Sequence, residues 1–367
     1  MLDKSKRNME KEAPKGVNLG KSIIVPSVKE LAKESITNIP SRYVVENGDQ
    51  PDHPINPSLP LSVPVIDLQR LLHGDSKDSE LNKLHLACKE WGFFQVTNHG
   101  VSISLLETFK LEVTNFLKLP MEEKKKLWQT EDNHEGFGQL FVVSEDQKLD
   151  WCDMFFLITL PPQLRKPELY NKLPQNLRVT MEAYVAAVKG LAQTLLNQMA
   201  KALGIDEGEM TELFNEEYQT MRMNYYPPCP EPDKAIGLTP HSDANALTVL
   251  YQLNDIGGLE IKKDGNWVPV MPLENAFVLN VGDALEILSN GIYRSIEHKA
   301  TVNSTKERIS IATFNSPNID SELGPAKSII GPFNPPVFRT QPLIQYYKEF
   351  FASKLNGKSH LEAIRLQ

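Results

Sequence analysis

The segment Thr239-Pro-His-Ser-Asp-Ala-Asn-Ala-Leu-Thr-Val-Leu-Tyr-Gln-Leu253 stands near the start of the region that decides the fold. From about Thr220 onward, β-branched and aromatic residues form short runs separated by Gly, Pro, Asn or Asp at near-regular spacing. These runs are MRMNYY, LTVLYQL, LEIKK, WVPVMP, AFVLNV, SIEHKATV and RISIATF. The pattern is typical of an antiparallel β sandwich or barrel. We therefore expect a jelly-roll domain over residues 216–320.

The preceding part of the chain is richer in helical patterns. Between Leu177 and Leu203, apolar residues recur every three or four positions, which predicts a long amphipathic helix. Shorter helices are predicted over Leu81–Trp91 and Ile103–Phe116, with a short strand at Gly92–Thr97. We expect residues 61–215 to form a helix-rich N-terminal domain that packs against the jelly roll. The expected fold class is α+β.

Both ends of the chain are expected to lie outside these two domains. Residues 1–60 are predicted to form an N-terminal extension and connector, because the stretch 46–60 is rich in proline and turn formers. A helix beginning at Val28 should end at Ile39, since Pro40 follows. Residues 321–367 are predicted to form a C-terminal helical segment.

Composition narrows the class of protein. The 367 residues carry 39 Lys+Arg against 47 Asp+Glu, a net charge of −8, which argues against nucleic acid as a partner. Three widely spaced cysteines can form neither a disulfide framework nor a thiolate zinc site. The sequence has neither an apolar signal segment at its start nor a stretch of membrane-spanning length. We expect a cytoplasmic monomer that does not bind membranes and acts on a small molecule.

One group of residues has the pattern of a metal site. Side chains at i and i+2 of a strand point to the same face, so His241 and Asp243 would project together into a barrel. His298, in a later β-like run, could supply a second imidazole. Two His and one carboxylate on one side of an octahedral ion leave three positions open, which suits non-haem Fe(II) oxygen chemistry.

A second group could bind a carboxylate. Arg308 and Ser310 share one face of a predicted strand, as do Asn224 and Tyr226 of an earlier strand. A guanidinium with hydroxyl and amide groups nearby binds a carboxylate through charge-assisted hydrogen bonds. The alternative is that Arg308 forms an ordinary surface ion pair, for instance with Asp320.

At these positions the sequence resembles the plant 2-oxoglutarate and Fe(II)-dependent dioxygenases. The resemblance covers roughly residues 60–350 and rests on motifs that stand in the family's order: Pro64-Val-Ile-Asp67, Trp91-Gly-Phe-Phe-Gln-Val-Thr-Asn-His-Gly100, Met223-Asn-Tyr-Tyr-Pro-Pro-Cys-Pro230, His241-Ser-Asp243, Asn280-Val-Gly-Asp283, Ser289-Asn-Gly-Ile-Tyr293, His298 and Glu307-Arg-Ile-Ser310. The resemblance implies a double-stranded β-helix core.

The resemblance also implies roles for these residues. His241, Asp243 and His298 would bind Fe(II). Arg308 and Ser310, assisted by Asn224 and Tyr226, would bind 2-oxoglutarate. Dioxygen would be the second co-substrate and ascorbate the reductant.

Within the family, Gly136–Phe141 and Ser144–Trp151 are most similar to the senescence-related-like dioxygenases and the codeine and thebaine O-demethylases. This resemblance implies hydroxylation or O-demethylation of a hydrophobic plant metabolite, such as an alkaloid or phenolic, with release of succinate and CO2. Aromatic residues and one serine are candidates for the pocket above the iron: Phe137, Phe141, Trp151, Phe155, Tyr251, Phe314 and Ser316.

Two alternatives come from other classes of protein. A jelly-roll hydrolase or isomerase could hold zinc on the same three ligands, with an acid or base beside the metal. A non-catalytic protein could use the barrel only to hold a small ligand.

Overall fold

The computed structural model describes residues 19–34, 36–45, 62–131 and 133–366. The expectations for residues 1–18 and for the connector at 46–60 concern residues outside these ranges. The α-helices within them are α1 (Val28–Lys33), α2 (Leu68–Leu72), α3 (Lys77–Leu86), α4 (Ile103–Leu117), α5 (Met121–Lys125), α6 (Pro167–Tyr170), α7 (Gln175–Leu203), α8 (Glu207–Leu213), α9 (Asp283–Leu288), α10 (Leu343–Phe351) and α11 (Ser359–Glu362). None of these helices has the length and apolar character needed to cross a membrane.

The strands form two large sheets and one small one. In chain order they are β1 (Val65–Asp67), β2 (Phe93–Thr97), β3 (Gly136–Gly138), β4 (Asp153–Leu160), β5 (Tyr218–Tyr226), β6 (Leu238–His241), β7 (Leu247–Gln252), β8 (Leu259–Lys263), β9 (Asn266–Pro269), β10 (Phe277–Val281), β11 (His298–Ala300), β12 (Arg308–Ser316), β13 (Glu322–Leu323) and β14 (Gln341–Pro342). The main sheet has the order β1-β2-β10-β7-β12-β5-β4-β3, the second sheet β6-β11-β8-β9, and β13 pairs with β14.

The two large sheets pack face to face. Phe93 and Val278 of the main sheet belong to one buried cluster with Ile261 and Val268 of the second sheet. All pairings in these two sheets are antiparallel except that of β1 with β2. This sandwich with helices around it confirms the expected α+β jelly-roll fold.

The long helix α7 supports the main sheet. The predicted helix over residues 177–203 is found as Gln175–Leu203, with Met181, Val188 and Leu195 buried on one face. This face contacts β7 and β12 as well as α4. The helix ends at Gly204, whose φ of 72° is in the left-handed region that favours glycine. The helix therefore stabilises the two strands that carry much of the site.

The strand β4 was missing from the sequence-based assignment. Its residues Asp153–Thr159 are all buried, so the strand lacks the alternation of a half-exposed strand. Together with β1, β2 and β3 it extends the main sheet, and the predicted N-terminal range 61–215 therefore contributes strands as well as helices to the core. The two predicted domains share one sheet.

One predicted helix ends earlier than expected, and another changes to π-helical geometry in its last turn. The helix α1 ends at Lys33, well before Ile39. The helix α3 ends at Leu86 and continues as one π-helical turn over Ala87–Trp91. At Gly92 the backbone has a φ of 61°, and a Cβ there would lie 2.2 Å from the carbonyl oxygen of Arg294. This close approach requires glycine and directs the chain into β2.

The C-terminal segment is tied to strand β6. Gly357 donates a hydrogen bond of 3.0 Å from its amide to the Pro240 carbonyl, and its own carbonyl accepts one of 3.2 Å from the Ser242 amide. The predicted helical segment over 321–367 contains α10 and α11 together with β13 and β14. The segment therefore reaches the strand end at which His241 lies.

Candidate active site

Three side chains meet between the two sheets. His241 is the last residue of β6 and lies opposite His298, the first residue of β11, in the antiparallel pairing. Asp243 was expected on the same strand as His241, but β6 ends first and Asp243 lies in the following loop. Its Oδ1 is 3.5 Å from Nε2 of His241 and 3.7 Å from Nε2 of His298. Among the described residues this is the group of His, Cys, Asp or Glu side chains that could hold a metal ion.

Hydrogen bonds orient the two imidazoles. Nδ1 of His241 lies 2.8 Å from the Thr239 carbonyl oxygen, and Nδ1 of His298 lies 3.1 Å from that of Ile296. A carbonyl can only accept, so each Nδ1 donates and each Nε2 keeps its lone pair free. Both Nε2 atoms are therefore available as metal ligands, in the manner of metal-binding histidines.

The protonation states of Asp243 and His298 also favour the binding of a cation. Burial alone would raise the pKa of the Asp243 carboxyl, but the imidazoles of His298 and His241 and the hydroxyl of Thr248 hold it well below its usual range. Burial, with His241 nearby, lowers the pKa of His298 to about 4. At neutral pH the group therefore offers a carboxylate and a neutral imidazole. Two nitrogens and one oxygen on one side of an ion fit Fe(II) with positions left for other ligands.

An inner cavity of about 510 Å³ adjoins this group on one side. The four residues expected to bind 2-oxoglutarate all line it, on two neighbouring strands: Arg308 pairs with Tyr226 and Ser310 with Asn224. Burial lowers the pKa of the Arg308 guanidinium, which is only 3% exposed. Its Nη2 donates a 3.1 Å hydrogen bond to Oε1 of Gln252. The inner cavity thus presents a buried cation.

The polar groups of the inner cavity are only partly satisfied. Nε of Arg308 and Oδ1 of Asn224 are buried without a hydrogen-bond partner. Arg308 lies 5.1 Å from the Tyr226 ring centroid and forms no ion pair with a described carboxylate, so the surface ion pair with Asp320 is not formed. A buried guanidinium that lacks an anion is suited to a ligand carboxylate.

An outer cavity of about 560 Å³ adjoins the metal-ligand group on its other side. Both cavities are lined by Arg222, His241, Asp243 and Phe314, so they meet beside the three candidate ligands. Phe and Tyr side chains form much of the wall of this outer cavity. Of the residues predicted for the substrate pocket, the structure places Phe141, Phe314 and Ser316 on these walls.

The other four predicted pocket residues lie elsewhere. Phe137 and Phe155 pack against each other and Phe116 in the main core, at centroid distances of 4.8–4.9 Å. Trp151 packs edge-on against Tyr43 in a cluster with the N-terminal segment.

Tyr251 completes this group. Its ring lies between those of Tyr184 and Phe277, on the side of the main sheet that faces α7. None of the four lines either cavity, so we correct their assignment from substrate pocket to core.

Part of the outer wall was not anticipated. Tyr347, Phe350 and Phe351 of α10 line the outer cavity, and Phe351 stacks on Phe141 at a centroid distance of 5.2 Å. The dense aromatic run in this helix was the only sequence signal, and it does not reveal which cavity the helix covers. The wall also contains Phe156 of β4, the strand that the sequence analysis missed.

Comparisons with known proteins settle the family. A family profile described as "2OG-Fe(II) oxygenase superfamily" matches residues 217–317, and one described as "non-haem dioxygenase in morphine synthesis N-terminal" matches residues 63–176. Protein SRG1 of Arabidopsis thaliana is 52% identical over 355 residues, covering 96% of this chain and 99% of that protein. The chain belongs to the 2OG-Fe(II) oxygenase superfamily. It is a 2-oxoglutarate-dependent dioxygenase, an oxidoreductase, as the resemblance implied.

Other relatives carry names that state a reaction. Oxoglutarate-dependent flavonoid 7-O-demethylase 1 of Ocimum basilicum is 50% identical, covering 99% of this chain and 97% of that protein. Thebaine 6-O-demethylase of Papaver somniferum is 48% identical, covering 97% of this chain and 100% of that protein. The crystal structure of JOX2 in complex with 2OG, Fe and JA covers 95% of this chain and 100% of that one, with 32% identity and a TM-score of 0.85. These findings support neither the zinc enzyme nor the non-catalytic binding protein.

Proposed function

We propose that this dioxygenase oxidises a C–H bond of a hydrophobic aromatic plant metabolite, and that removal of an O-methyl group is its principal reaction. The observation that carries the proposal is the aromatic outer cavity, which opens directly onto the candidate metal ligands through Phe314, His241 and Asp243. Relatives that cover nearly the whole chain are named O-demethylases of a flavonoid and of thebaine, which supports this choice of reaction.

His241, Asp243 and His298 would hold the iron. Thr239 and Ile296 keep the Nε2 atoms of the two imidazoles aimed at it, while Thr248 holds the second carboxylate oxygen. When bound, Fe(II) with 2-oxoglutarate and O2 supplies the oxidation of a C–H bond, with succinate and CO2 as co-products; a hydroxylated O-methyl group collapses to formaldehyde and the free alcohol.

Arg308 would bind the far carboxylate of 2-oxoglutarate. Ser310 and Asn224 lie on the same cavity wall and can donate further hydrogen bonds, and Tyr226 contacts the guanidinium through its ring. Because the arginine is buried, its attraction for a carboxylate is screened little by solvent. The inner cavity therefore determines the orientation of the co-substrate relative to the three ligands.

The aromatic walls would position the substrate. Phe141 and Phe351 form a stacked pair beside the cavity, and Phe314 lies at its junction with the inner cavity. Flat apolar faces gain the most from contact with a planar ring system, and they exclude water from the reacting carbon. A methoxyl group on such a ring would reach the metal side of the cavity.

The test is to incubate the purified protein with Fe(II), 2-oxoglutarate, ascorbate and a panel of methoxylated flavonoids and alkaloids, measuring succinate, formaldehyde and product masses. Equimolar succinate and formaldehyde with a product lighter by one CH2 supports demethylation. Hydroxylated products without formaldehyde would replace demethylation by hydroxylation. Absence of stimulated succinate formation across the panel would contradict the proposed substrate class.

Three further expectations stay proposals. They are that ascorbate serves as reductant, that the enzyme is a monomer and that it acts in the cytoplasm.

A further inference from the structure

Two paired strands form a continuous wall through both cavities. On β5 the alternate residues Tyr218, Thr220, Arg222, Asn224 and Tyr226 line the cavities. Their partners on β12 are, in the same order, Ser316, Phe314, Ala312, Ser310 and Arg308. Tyr226 and Arg308 belong to the inner cavity, and Tyr218 and Ser316 to the outer one. The central pair, Arg222 with Ala312, lies where the cavities meet.

Arg222 is a buried cation without an assigned partner. It is 8% exposed, its Nε is buried without a hydrogen-bond partner, and within the described ranges its side chain forms no hydrogen bond or ion pair. Burial raises the pKa of the Asp150 carboxyl, and the nearby positive charge of Arg222 opposes this rise. The Asp150 carboxylate, however, already accepts hydrogen bonds from the amide and hydroxyl of Thr239.

The surroundings of Arg222 leave room for a ligand. Its cross-strand neighbour is Ala312, which has only a methyl group, and the cavity continues past it in both directions. The co-substrate already has its own cation in Arg308, two cross-strand pairs further along the wall. A second buried guanidinium is therefore available to another ligand.

The buried polar atoms of the outer cavity that lack a hydrogen-bond partner, among its described lining residues, are all able to donate hydrogen bonds. They are Nε of Arg222 and the hydroxyl of Tyr218. Burial raises the pKa of the Tyr218 phenol well above its usual value, so this hydroxyl keeps its proton. Donors buried without acceptors are costly and are satisfied when a ligand supplies acceptors.

We infer that Arg222 selects substrates that carry an anionic or strongly accepting oxygen, such as an acidic phenol or a carboxylate on an aromatic ring, over substrates that carry a protonated amine. The inference rests on the proposed function and narrows its substrate class toward phenolics. A guanidinium attracts such an oxygen through charge-assisted hydrogen bonds, whereas a second cation beside it is repelled in a cavity with little water.

The test uses three probes with the same methoxylated two-ring body: 6-methoxy-2-naphthoate, 6-methoxy-2-naphthamide and (6-methoxynaphthalen-2-yl)methylamine. Binding is measured anaerobically by calorimetry to the enzyme loaded with Fe(II) and 2-oxoglutarate, so that no turnover occurs. We expect the anion to bind at least about tenfold more tightly than the neutral amide, and the ammonium probe to bind most weakly. Arg222→Gln should remove the preference, and Arg222→Lys should keep most of it.

Affinity for 2-oxoglutarate, measured in the same variants, shows whether Arg222 binds an anionic group of the substrate or a carboxylate of 2-oxoglutarate. An unchanged 2-oxoglutarate affinity in Arg222→Gln supports a substrate role. A fall of about tenfold or more, with the anion preference intact, would assign Arg222 to the co-substrate and overturn the inference. Equal binding of the three probes to the wild-type enzyme, or preference for the amine, would also overturn it, whether or not the variants fold. Demethylation of neutral methoxylated compounds would still support the proposed function in that case.

Discussion

Thr248 donates a hydrogen bond of 2.6 Å from its hydroxyl to Oδ2 of Asp243, the oxygen that does not face the two imidazoles. Asn280 donates a second bond of 2.7 Å to the same oxygen. Oδ1 is left as the oxygen nearest to His241 and His298. The carboxylate is thus held by two neighbouring strands, β7 and β10, with Oδ1 turned toward the two imidazoles.

Replacing Thr248 by Val should weaken metal binding. The change replaces the hydroxyl by a methyl group of similar size. The Asp243 carboxylate therefore loses one of the two hydrogen bonds that orient it. We expect iron affinity to fall by roughly 10–100-fold, measured by anaerobic Fe(II) titration. Thr211→Val, on the exposed surface of α8, is the matched control. Equal affinities in the two variants would contradict an orienting role.

Replacing Arg308 by Leu should raise the requirement for 2-oxoglutarate. The lost contact is a charge-assisted pair of roughly 1.5–3 kcal/mol, which corresponds to a 2-oxoglutarate affinity about 10–150-fold lower. The control is Arg294→Leu, because Arg294 is exposed. If the concentration of 2-oxoglutarate that gives half-maximal decarboxylation is the same in both variants, Arg308 does not bind the co-substrate.

The residues proposed to bind the co-substrate were accessible to sequence reasoning because their grouping depends on local strand geometry, whereas Asp243 lies in the loop after β6 and was assigned through the resemblance of its motif. The two-residue period of a strand placed Arg308 with Ser310 and Asn224 with Tyr226, and the structure brings all four to one cavity. His241 and His298 stood in β-like runs that pair with each other. Such relations need only strand periodicity and the order of motifs.

The outer cavity, which we propose binds the substrate, was less predictable because it depends on tertiary packing. Trp151 and Phe155 are aromatic and near the right motifs, yet their side chains point into clusters away from the cavity. Phe351 reaches the cavity only because the C-terminal segment folds back across strand β6. No periodicity in the sequence encodes either outcome. The strand β4 was hidden because both of its faces are buried.

The aromatic wall supplied by α10 gives a third prediction. Phe351→Ala removes the ring stacked on Phe141 and should lower affinity for a planar aromatic substrate by roughly tenfold, since a lost aromatic contact costs on the order of 1 kcal/mol or more. Affinity for 2-oxoglutarate should stay unchanged. The control is Phe333→Ala, whose side chain is fully exposed. A loss of 2-oxoglutarate binding alone would contradict the placement of Phe351 on the substrate side.

The corrected position of Trp151 gives a fourth prediction. Its ring is fully buried against Tyr43, and its Nε1 donates a 3.2 Å hydrogen bond to the Pro227 carbonyl. Trp151→Ala should lower the free energy of unfolding by about 3–5 kcal/mol and leave substrate affinity of the folded enzyme unchanged. Denaturant unfolding and substrate titration measure the two effects. A stable variant with weakened substrate binding would return Trp151 to the pocket.

The stability of the apoenzyme should depend on pH through Asp283. Burial raises the pKa of this carboxyl to about 7, although Tyr346 and Ser242 donate hydrogen bonds to it. In the unfolded chain the carboxyl loses its proton near pH 4, so between about pH 4 and 7 the folded state holds more protons and its stability falls as pH rises.

Asp283→Asn should remove this contribution. Relative to the variant, the wild type should lose up to about 1.4 kcal/mol of unfolding free energy per pH unit in that interval, measured by denaturant unfolding with iron chelated. Asp320→Asn, at an exposed position, should behave as wild type. Parallel stability curves for wild type and Asp283→Asn would contradict the raised pKa.

Anaerobic Fe(II) titration with a matched ligand variant is the most direct test of whether His241, Asp243 and His298 form one iron site. The wild-type chain should bind one Fe(II), and Asp243→Ala, with its fold checked by circular dichroism, should lose tight binding together with 2-oxoglutarate decarboxylation. A folded Asp243→Ala variant that binds iron as tightly as the wild type and still consumes 2-oxoglutarate would contradict the account.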